Sequence, residues 1–298
     1  MIVVNNGDPL DVSGGRVIDA GRNLGFGAAC NLAALETDAD VLVFLNPDTV
    51  ARPGAVAALA RSVEDRAIGI AQARLRLLDE PDLLNSSGNV VHVSGLAWPG
   101  GYRDRADSLT EVRDIGYASG AAFAIRSDVF RDVGGFTEEL FLYQEDLELS
   151  WRVRLRGLRV VVAPDADVLH AYELERPGRR KEYFLERNRL VFVLTAYSPR
   201  LLAVLAPVLL ACEAGIALLA WRQGWLREKA SGWLWLVRNA GWLARRRRAT
   251  QALRRVPDRA LARHLSAVLD PRMLELPAGA SLANALVAAW WRAVRVVL

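Results

Sequence analysis

Apolar runs and helical patterns alternate along the first two thirds of the chain. Val41–Leu45 is a continuous apolar run followed by Asn-Pro-Asp, as in a strand buried on both faces. Residues 53–63 have the spacing of a helix with proline in its first turn. Residues 145–156 have the spacing of a helix that ends at Gly157. This alternation predicts an α/β layered fold.

The same pattern predicts further elements. Residues 78–113 have no clean period and contain clusters of Gly, Pro, Ser and Asp, so we expect mostly loop and edge structure there. The other strand-like runs are 2–4, 17–19, 67–73, 119–125, 159–163 and 166–170, and the other helical segments are 25–35, 127–133 and 187–197.

The last hundred residues have a different pattern. Residues 201–221 are apolar apart from Pro207 and Glu213, and as a helix they would extend about 31 Å, roughly the thickness of a hydrocarbon core. A single crossing would place the basic run 245–248 on the far side, against the preference of such runs for the cytoplasm. Residues 233–243 are too short for a return crossing. We therefore expect an interfacial or re-entrant segment.

Composition and charge divide the chain at the same place. Hydrophobic residues make up 52% of the 298 residues, enough for a sizeable core. Residues 199–298 contain 16 Lys and Arg against 5 Asp and Glu, and seven of the nine Trp. We expect one domain over 1–198 and a helical, basic, Trp-rich region over 199–298 that contacts a membrane surface rather than nucleic acid. The alternative is a helical subdomain whose apolar faces pack on each other.

Cysteine and histidine are scarce. Two Cys and three His exclude a disulfide scaffold, a Cys-based zinc cluster and a His-rich metal site. The chain opens without a basic and apolar leader, so a reducing, cytoplasmic setting is expected.

Polar residues with chemical potential follow the predicted strands. Asp48 stands just beyond the strand 41–45, where ligands bind in open α/β sheets and where a carboxylate can hold a divalent cation. Taken alone, Asn-Pro-Asp is also an ordinary turn. Glu145 and Asp146 open a helix, which favours acidic residues on structural grounds, but one of them could serve as a general base. His170 ends another strand, where a lone histidine is more often a structural residue than a ligand.

These segments together resemble family 2 glycosyltransferases of the GT-A fold, and in particular bacterial rhamnosyltransferase-like members. The likeness covers about 1–190 and is most specific over 119–157. It rests on VVNN at 3–6, NLGFGAACN at 23–31, VLVFLNPDT at 41–49, SGAAFAIRSDVFRDVGGFTEELFLYQEDLELSWRVRLRG at 119–157, VLH at 168–170 and ERNRL at 186–190. It implies a Rossmann-like mixed sheet with flanking helices.

The resemblance implies a role for each position. Asp48 corresponds to the metal-binding aspartate of the family's DxD-type motif, and Asn46 replaces its first aspartate. Asp146 matches the catalytic base, with Glu145 beside it to orient it or the acceptor. His170 matches a position that assists the metal or the diphosphate. The expected donor-binding residues are Asn5, Asn23, Gly25, Asn46, Asp48 and Gly120, and the expected acceptor-binding residues are Gly135 and Tyr143.

The implied reaction is an inverting sugar transfer. Asp146 would deprotonate an acceptor hydroxyl, which attacks the anomeric carbon opposite the leaving nucleoside diphosphate, while Mg²⁺ or Mn²⁺ at Asp48 neutralises the diphosphate. The expected donor is dTDP-rhamnose or a UDP-sugar. The expected acceptor is a cell-envelope glycan or a polyprenyl-linked glycan, met at the cytoplasmic face of the cell membrane.

One part of the family pattern is absent. Family members normally begin with a strand and a helix that precede the strand at 2–4 and supply part of the nucleotide pocket. We therefore hypothesise that the true start lies upstream.

Two other functions stay open. A catalytically silent scaffold in envelope assembly is favoured by the absent first unit and by Asn46, whereas Asp48, Asp146 and His170 argue against it. A nucleotidyltransferase would usually carry a Gly-rich, basic N-terminal loop, which this sequence lacks.

Overall fold

Strands and helices alternate through the first two thirds of the chain, and helices dominate the rest. The computed structural model describes residues 1–7, 14–172, 179–274, 280–296 and 298. The strands are β1 (Ile2–Asn5), β2 (Arg16–Asp19), β3 (Val41–Leu45), β4 (Thr49–Ala51), β5 (Ile68–Leu77), β6 (Leu84–Ser86), β7 (Asn89–His92), β8 (Ala97–Pro99), β9 (Arg113–Asp114), β10 (Ala122–Arg126), β11 (Arg159–His170) and β12 (Leu265–Ser266). The α-helices are α1 (Phe26–Leu35), α2 (Ala55–Ser62), α3 (Ser127–Asp132), α4 (Glu145–Leu155), α5 (Arg179–Ala196), α6 (Pro199–Gln223), α7 (Leu226–Arg238), α8 (Ala240–Ala252), α9 (Asp258–Ala262) and α10 (Ala280–Val294).

The central sheet is mixed. Its strand order is β3-β10-β5-β11-β4, with β6 paired to β5 and β9 paired to β11. β5 and β11 run parallel, whereas β10 is antiparallel to both β3 and β5. This sheet with its flanking helices confirms the predicted α/β class.

The two faces of the sheet are packed with side chains of different size. On one face, small residues such as Ala71, Ala122 and Ala124 let α2 lie close to the strands through Ala55 and Ala58. On the other face, a cluster of aromatic rings fills the wider space beneath α1, α3 and α4. These rings are Phe44, Phe123, Phe130 and Phe136, with centroids 5.1–6.2 Å apart. Such size matching across layers fills the interior without voids.

Several element boundaries differ from the sequence-based predictions. The runs 159–163 and 166–170 form one strand, β11, whose register against β5 shifts between Ala163 and Asp167. Residues 78–113 are mostly loop and edge structure, as predicted, but they include the short strands β6, β7 and β8, in which Leu84 and Val91 are buried. Their side chains are buried by neighbours distant in sequence, which a local period does not reveal.

The N-terminal strands stand apart from the central sheet. β1 and β2 pair in parallel as a separate two-stranded sheet. Within the part of the chain that the structure describes, β3 pairs only with β10. α1 follows β2 and connects this small sheet to the layers described above.

The C-terminal helices share a core with the first two thirds of the chain. One cluster of buried residues contains Val91, Trp151 and Phe192 together with Leu201 and Trp291. β12 also pairs in parallel with β7 and so completes a three-stranded sheet β12-β7-β8. Residues on both sides of position 198 therefore stabilise one another.

Candidate active site

The turn after β3 and the end of β11 form one end of the site. The Thr49 N–H and Oγ1 donate to the Asn46 carbonyl at 3.2 and 2.6 Å, which closes a tight turn around Asp48. β4 pairs with β11 so that Thr49 lies opposite His170, and the Asp48 carbonyl accepts the Ala171 N–H at 2.9 Å. This pairing places His170 Nε2 3.4 Å from Asp48 Oδ1.

Asn85 orients the His170 ring. Its Oδ1 lies 2.9 Å from His170 Nδ1, and the Asn85 side chain is buried in β6. Because an amide oxygen only accepts hydrogen bonds, Nδ1 is the donor of this pair and Nε2 is directed toward Asp48. Such a partner behind a histidine is the usual way to orient a metal ligand.

A divalent cation fits between these residues. The Nε2 lone pair and the Asp48 carboxylate are both acceptors, and at 3.4 Å they repel unless a proton or a cation lies between them. Asn46 Oδ1 is also buried and has no hydrogen-bond partner among the described residues. Carboxylate, imidazole and amide oxygen suit Mn²⁺ better than Mg²⁺, which prefers oxygen ligands alone. The described residues bring together no group of three or more His, Cys, Asp or Glu.

Gly120 joins this end of the site to Asp146. The Asn46 N–H donates to the Ala121 carbonyl at 2.9 Å, which extends the pairing of β3 with β10. The Gly120 N–H donates to Asp146 Oδ2 at 2.9 Å. A Cβ atom on Gly120 would lie 3.3 Å from the Phe26 ring. The strand end thus places Asn46, Gly120 and Asp146 side by side.

The two carboxyls at the start of α4 have unequal surroundings. Burial raises the pKa of both, and the negative charge of Asp146 raises the pKa of Glu145 further. Backbone N–H groups of Gly120 and Leu147 donate to Asp146 and offset part of its rise. Glu145 Oε2 is buried without a hydrogen-bond partner among the described residues. Asp146 is therefore the member of the pair that ionises first and can act as a base.

The segment 139–144, which leads into this pair, has unusual backbone conformations. Phe141, Tyr143 and Gln144 have φ values of 64°, 68° and 63°, in the left-handed region that side chains rarely occupy. The Phe141 carbonyl accepts the Phe26 N–H at 2.9 Å. A Cβ atom on Gly25 would lie 2.3 Å from that carbonyl oxygen, so only glycine fits there.

Two buried side chains of α5 hold this segment in place. Asn188 Nδ2 donates to the carbonyls of Leu140, Leu142 and Tyr143 at 3.0, 2.9 and 2.7 Å. Arg187 Nη2 donates to the carbonyls at 139 and 140, both at 2.8 Å. Neighbouring left-handed residues cost about 1–3 kcal/mol each and persist where surrounding bonds impose them. Arg187 and Asn188 impose them here.

The predicted donor residues near the N-terminus form a turn network. The Gly25 N–H donates to Asn23 Oδ1 at 2.9 Å, and Asn6 Nδ2 donates to the Gly25 carbonyl at 3.2 Å. Asn5 accepts the Gly7 N–H at 3.3 Å. Asn23 therefore lies beside Gly25, and Asn6 links the end of β1 to the turn before α1, whereas the Asn5 side chain bonds to its own turn.

Gly135, predicted as an acceptor residue, is enclosed by packed groups. Its φ is +63°, and a Cβ atom there would lie 2.7 Å from Asn31 Oδ1. Its carbonyl accepts Arg152 Nη2 at 2.6 Å. Asn31 in turn bonds both backbone groups of Phe136 at 2.8 and 3.0 Å. Gly135 thus allows α1 to approach the loop before the 139–144 segment.

The structure also contains polar residues that the sequence analysis missed. Asn85, Arg187 and Asn188 all contact predicted site residues or their loop. Gln72, fully buried in β5, accepts the Ser119 N–H at 2.8 Å next to Gly120. The ERNRL segment at 186–190 contributes to the family resemblance, but its sequence does not indicate that it bonds to the segment 139–144.

Comparison with known proteins gives a family-level likeness. A family model described as "Glycosyltransferase like family 2" matches residues 15–192, more than half of the chain. The N-acetylglucosaminyl-diphospho-decaprenol L-rhamnosyltransferase of Mycobacterium tuberculosis is 32% identical over 183 residues, which cover 52% of this chain and 58% of that protein. The chain thus matches less than two thirds of that relative's length.

Two further likenesses are more distant. The pre-mycofactocin glycosyltransferase of the same organism is 28% identical over 156 residues, or 52% of this chain and 30% of that one. The crystal structure of Staphylococcus aureus TarS aligns with 96% of this chain and 48% of its own, at 15% identity and a TM-score of 0.49.

Proposed function

Because the chain belongs to glycosyltransferase family 2, we propose that it transfers a sugar from a nucleoside-diphosphate donor to a glycan or lipid-linked acceptor by inversion. The predicted GT-A-type fold and the likeness to rhamnosyltransferases are confirmed. The observation that carries the proposed reaction is the position of Asp146. Its carboxylate is fixed by Gly120 at the strand end where Asn46 also lies.

Asp146 acts as the general base in this proposal. Burial raises the pKa of Asp146 toward neutral pH. A more basic carboxylate accepts a proton from a hydroxyl group more readily. Glu145 keeps its own proton to higher pH and so spares Asp146 a second adjacent negative charge. The acceptor oxygen, once deprotonated, attacks the anomeric carbon as the bond to the diphosphate breaks, and no covalent enzyme intermediate forms.

Asp48 and His170 would hold the divalent cation, with Asn46 Oδ1 as a further oxygen donor. When bound, Mn²⁺ or Mg²⁺ would neutralise the departing diphosphate. The contact of Asn85 with Nδ1 fixes the orientation of the ring and leaves Nε2 as the ring atom that would bind the cation.

The donor is proposed to be dTDP-rhamnose or a UDP-sugar. This rests on the relative in Mycobacterium tuberculosis, which is named as an L-rhamnosyltransferase acting on a decaprenol-linked sugar. The acceptor by the same analogy is a polyprenyl-linked glycan or an envelope glycan.

A membrane surface is the proposed site of action, at the cytoplasmic face. α6 is the one helix in the described residues that is long and apolar enough to cross a membrane. Large apolar side chains lie exposed on α6, α7 and α10. They include Leu210, Leu218, Trp221, Leu234, Val237, Leu282 and Leu286. Exposed apolar residues of this size, with Arg222 and Arg238 nearby in sequence, favour an interface between protein and anionic lipid.

The centre of α6 is tied to the protein by charge. Glu213 forms ion pairs with Arg189 of α5 and, at 2.8 Å, with Lys229 of α7. Arg189 and Lys229 are both fully buried. Moving α6 into lipid as a separate span would remove one of the two carboxylates that neutralise these buried cations and leave only Glu186 of α5, which is costly. This network supports a helix that lies along the membrane surface.

The donor site is tested by thermal unfolding of the chain with UDP, dTDP or GDP, each with and without Mn²⁺. We expect one nucleotide to raise Tm only with the metal, and Asp48→Asn to remove that rise. Asp165→Asn, an exposed aspartate away from the site, serves as the matched control. No rise with any nucleotide would favour the silent scaffold and contradict the proposed transferase.

A further inference from the structure

An open cavity lies between α5 and α7, beside the segment 139–144 that leads to Asp146. It has a volume of about 300 Å³ and is lined by Arg180, Tyr183, Phe184, Arg227, Glu228 and Ser231. The proposed reaction leaves all six residues without a role. Its lining combines two cations, one carboxylate, two aromatic rings and the hydroxyl groups of Tyr183 and Ser231, a mixture that suits a charged and hydroxylated ligand.

The two guanidinium groups are available to an anion. Arg180 and Arg227 are exposed, and neither forms an ion pair with a carboxylate in the described part of the chain. Guanidinium groups bind phosphate oxygens through paired N–H donors. Glu228 Oε2 is buried without a partner among the described residues, so it can accept a hydroxyl group. The cavity therefore matches a phosphorylated sugar better than a bare anion.

One face of α5 connects the cavity to the catalytic segment. Arg180, Tyr183, Phe184 and Arg187 are spaced three and four residues apart and so lie on the same side of the helix. The Phe184 ring stacks on Phe141 with centroids 5.2 Å apart and planes at 18°. Phe141 stands two residues before Tyr143 and four before Glu145. A ligand on the Phe184 side of α5 would thus lie against the segment that leads to Asp146.

The face of α7 continues from the cavity to apolar surface. Arg227, Ser231 and Leu234 are four and three residues apart and share one side of that helix. Leu234 is exposed. A ligand with a charged head in the cavity could therefore extend an apolar chain along α7 without leaving the protein surface.

We propose that this cavity binds the diphosphate-linked sugar at the head of a polyprenyl acceptor. This rests on the proposed function. The two arginines take the diphosphate, the rings of Tyr183 and Phe184, held by Arg187 and Phe141, form the apolar wall beside the sugar, and Glu228 with Ser231 bind its hydroxyl groups. The lipid tail follows the exposed apolar side of α7 into the membrane.

The test measures transfer and binding separately. The probe is farnesyl diphospho-N-acetylglucosamine in detergent, and the comparison compound is the same farnesyl sugar without the diphosphate. For the double variant Arg180→Ala/Arg227→Ala we expect KM for the probe to rise at least tenfold while kcat changes less than threefold. With the compound lacking diphosphate, the variant and the parent should have similar KM values.

A matched variant separates recognition from bulk charge. Arg245→Ala/Arg248→Ala removes two exposed arginines of α8 and should keep the parental KM. An equal rise of KM in both variants, or no rise in the cavity variant, would overturn the proposal. Inorganic pyrophosphate should compete weakly with the probe; competition as strong as that of the probe itself would show a free-diphosphate site instead.

A direct binding measurement tests this proposal without relying on sugar transfer. Tryptophan fluorescence titration of the parent with the probe should give saturable binding that weakens at least tenfold in the cavity variant. Such binding without any transfer would contradict the proposed function and support this site. Transfer with unchanged binding in the variant would support the function and contradict this site.

Discussion

The two adjacent carboxyl groups at the start of α4 differ in basicity because they receive different hydrogen bonds. Asp146 receives two backbone N–H donors, whereas Glu145 Oε2 receives none among the described residues. The Glu145–Asp146 pair could be predicted from the sequence because its motif is local. The role of Asn85 could not be predicted, because it depends on a contact with His170, which lies 85 positions away in the chain.

Removing the proposed base should abolish transfer. Asp146→Asn keeps the shape of the side chain but cannot accept a proton, so we expect kcat to fall by about 10²–10⁴-fold. The affinity for the nucleotide, measured by calorimetry, should stay within threefold of the parent. Equal transfer rates in the variant and the parent would contradict the assignment.

Glu145 should make the stability of the protein dependent on pH. Its pKa is raised in the folded state, so the unfolded chain releases this proton at lower pH and folding loses stability as pH rises through that interval. Glu145→Gln cannot ionise. Each unit of pKa shift is worth about 1.4 kcal/mol and each kcal/mol about 2–4 °C, so the Tm of the variant relative to the parent should increase by several degrees from pH 5 to pH 9.

Thermal unfolding across that pH range is the measurement. Glu64→Gln, which changes an exposed glutamate of the α2 end, should keep a constant offset from the parent. A constant offset for Glu145→Gln as well would show that burial does not govern its protonation.

At the scale of elements, α5 connects the catalytic segment to the C-terminal helices. The Arg187 guanidinium bonds to the 139–144 segment and also lies over the Trp235 ring of α7, 4.8 Å from its centroid. Helical periodicity predicts that α5 is a helix over 187–197, but the structure begins it at Arg179. The first two turns of α5 are polar and lack a helical spacing of apolar residues. They are stabilised by packing against α7, which the local sequence does not reveal.

Removal of the Asn188 hydrogen bonds should destabilise the segment 139–144. Asn188→Ala removes the donor to the carbonyls of Leu142 and Tyr143, while that of Leu140 keeps Arg187, so we expect a loss of about 1–3 kcal/mol in unfolding free energy and at least a tenfold loss in kcat/KM. Chemical denaturation and steady-state kinetics measure the two effects.

Gln251→Ala is the matched control for this variant. Gln251 donates to the carbonyls of Thr195 and Ala196 at the far end of α5, at 2.8 and 3.0 Å. Its loss should lower stability comparably and leave kcat/KM near the parental value. A similar kinetic loss in both variants would mean that Asn188 acts only through general stability.

For the whole molecule, charge and hydropathy identify the distinct region 199–298, but they do not predict the contacts that hold it against the rest of the chain. The basic run 245–248 reads as a surface feature, yet Arg246 pairs with buried Glu148 at 2.8 Å and Arg247 donates to carbonyls at the end of α5. Together with Arg152, Arg246 lowers the pKa of Glu148 to about 2. Half of the run therefore fastens α8 to α4 and α5, which no sequence pattern distinguishes from lipid-facing arginine.

The exposed apolar side of α6 should drive binding to lipid. Leu218→Ser/Trp221→Ser removes two exposed side chains, each worth about 1.5–3 kcal/mol when buried, so partition into phosphatidylglycerol vesicles should fall at least tenfold. Leu35→Ser/Val112→Ser changes exposed apolar residues of the catalytic part and should not alter sedimentation with vesicles. Equal loss in both variants would contradict a membrane surface on α6.

The pairing of β12 with β7 has a consequence for the order of events during synthesis. Val91 and His92 leave the ribosome long before their partners Leu265 and Ser266, because the helices α3 to α9 are translated in between. The small sheet therefore closes only after these helices have been made, and until then β7 offers an open edge to other strands. Such distant pairing slows folding, so overexpression faster than closure would yield inclusion bodies rather than native enzyme.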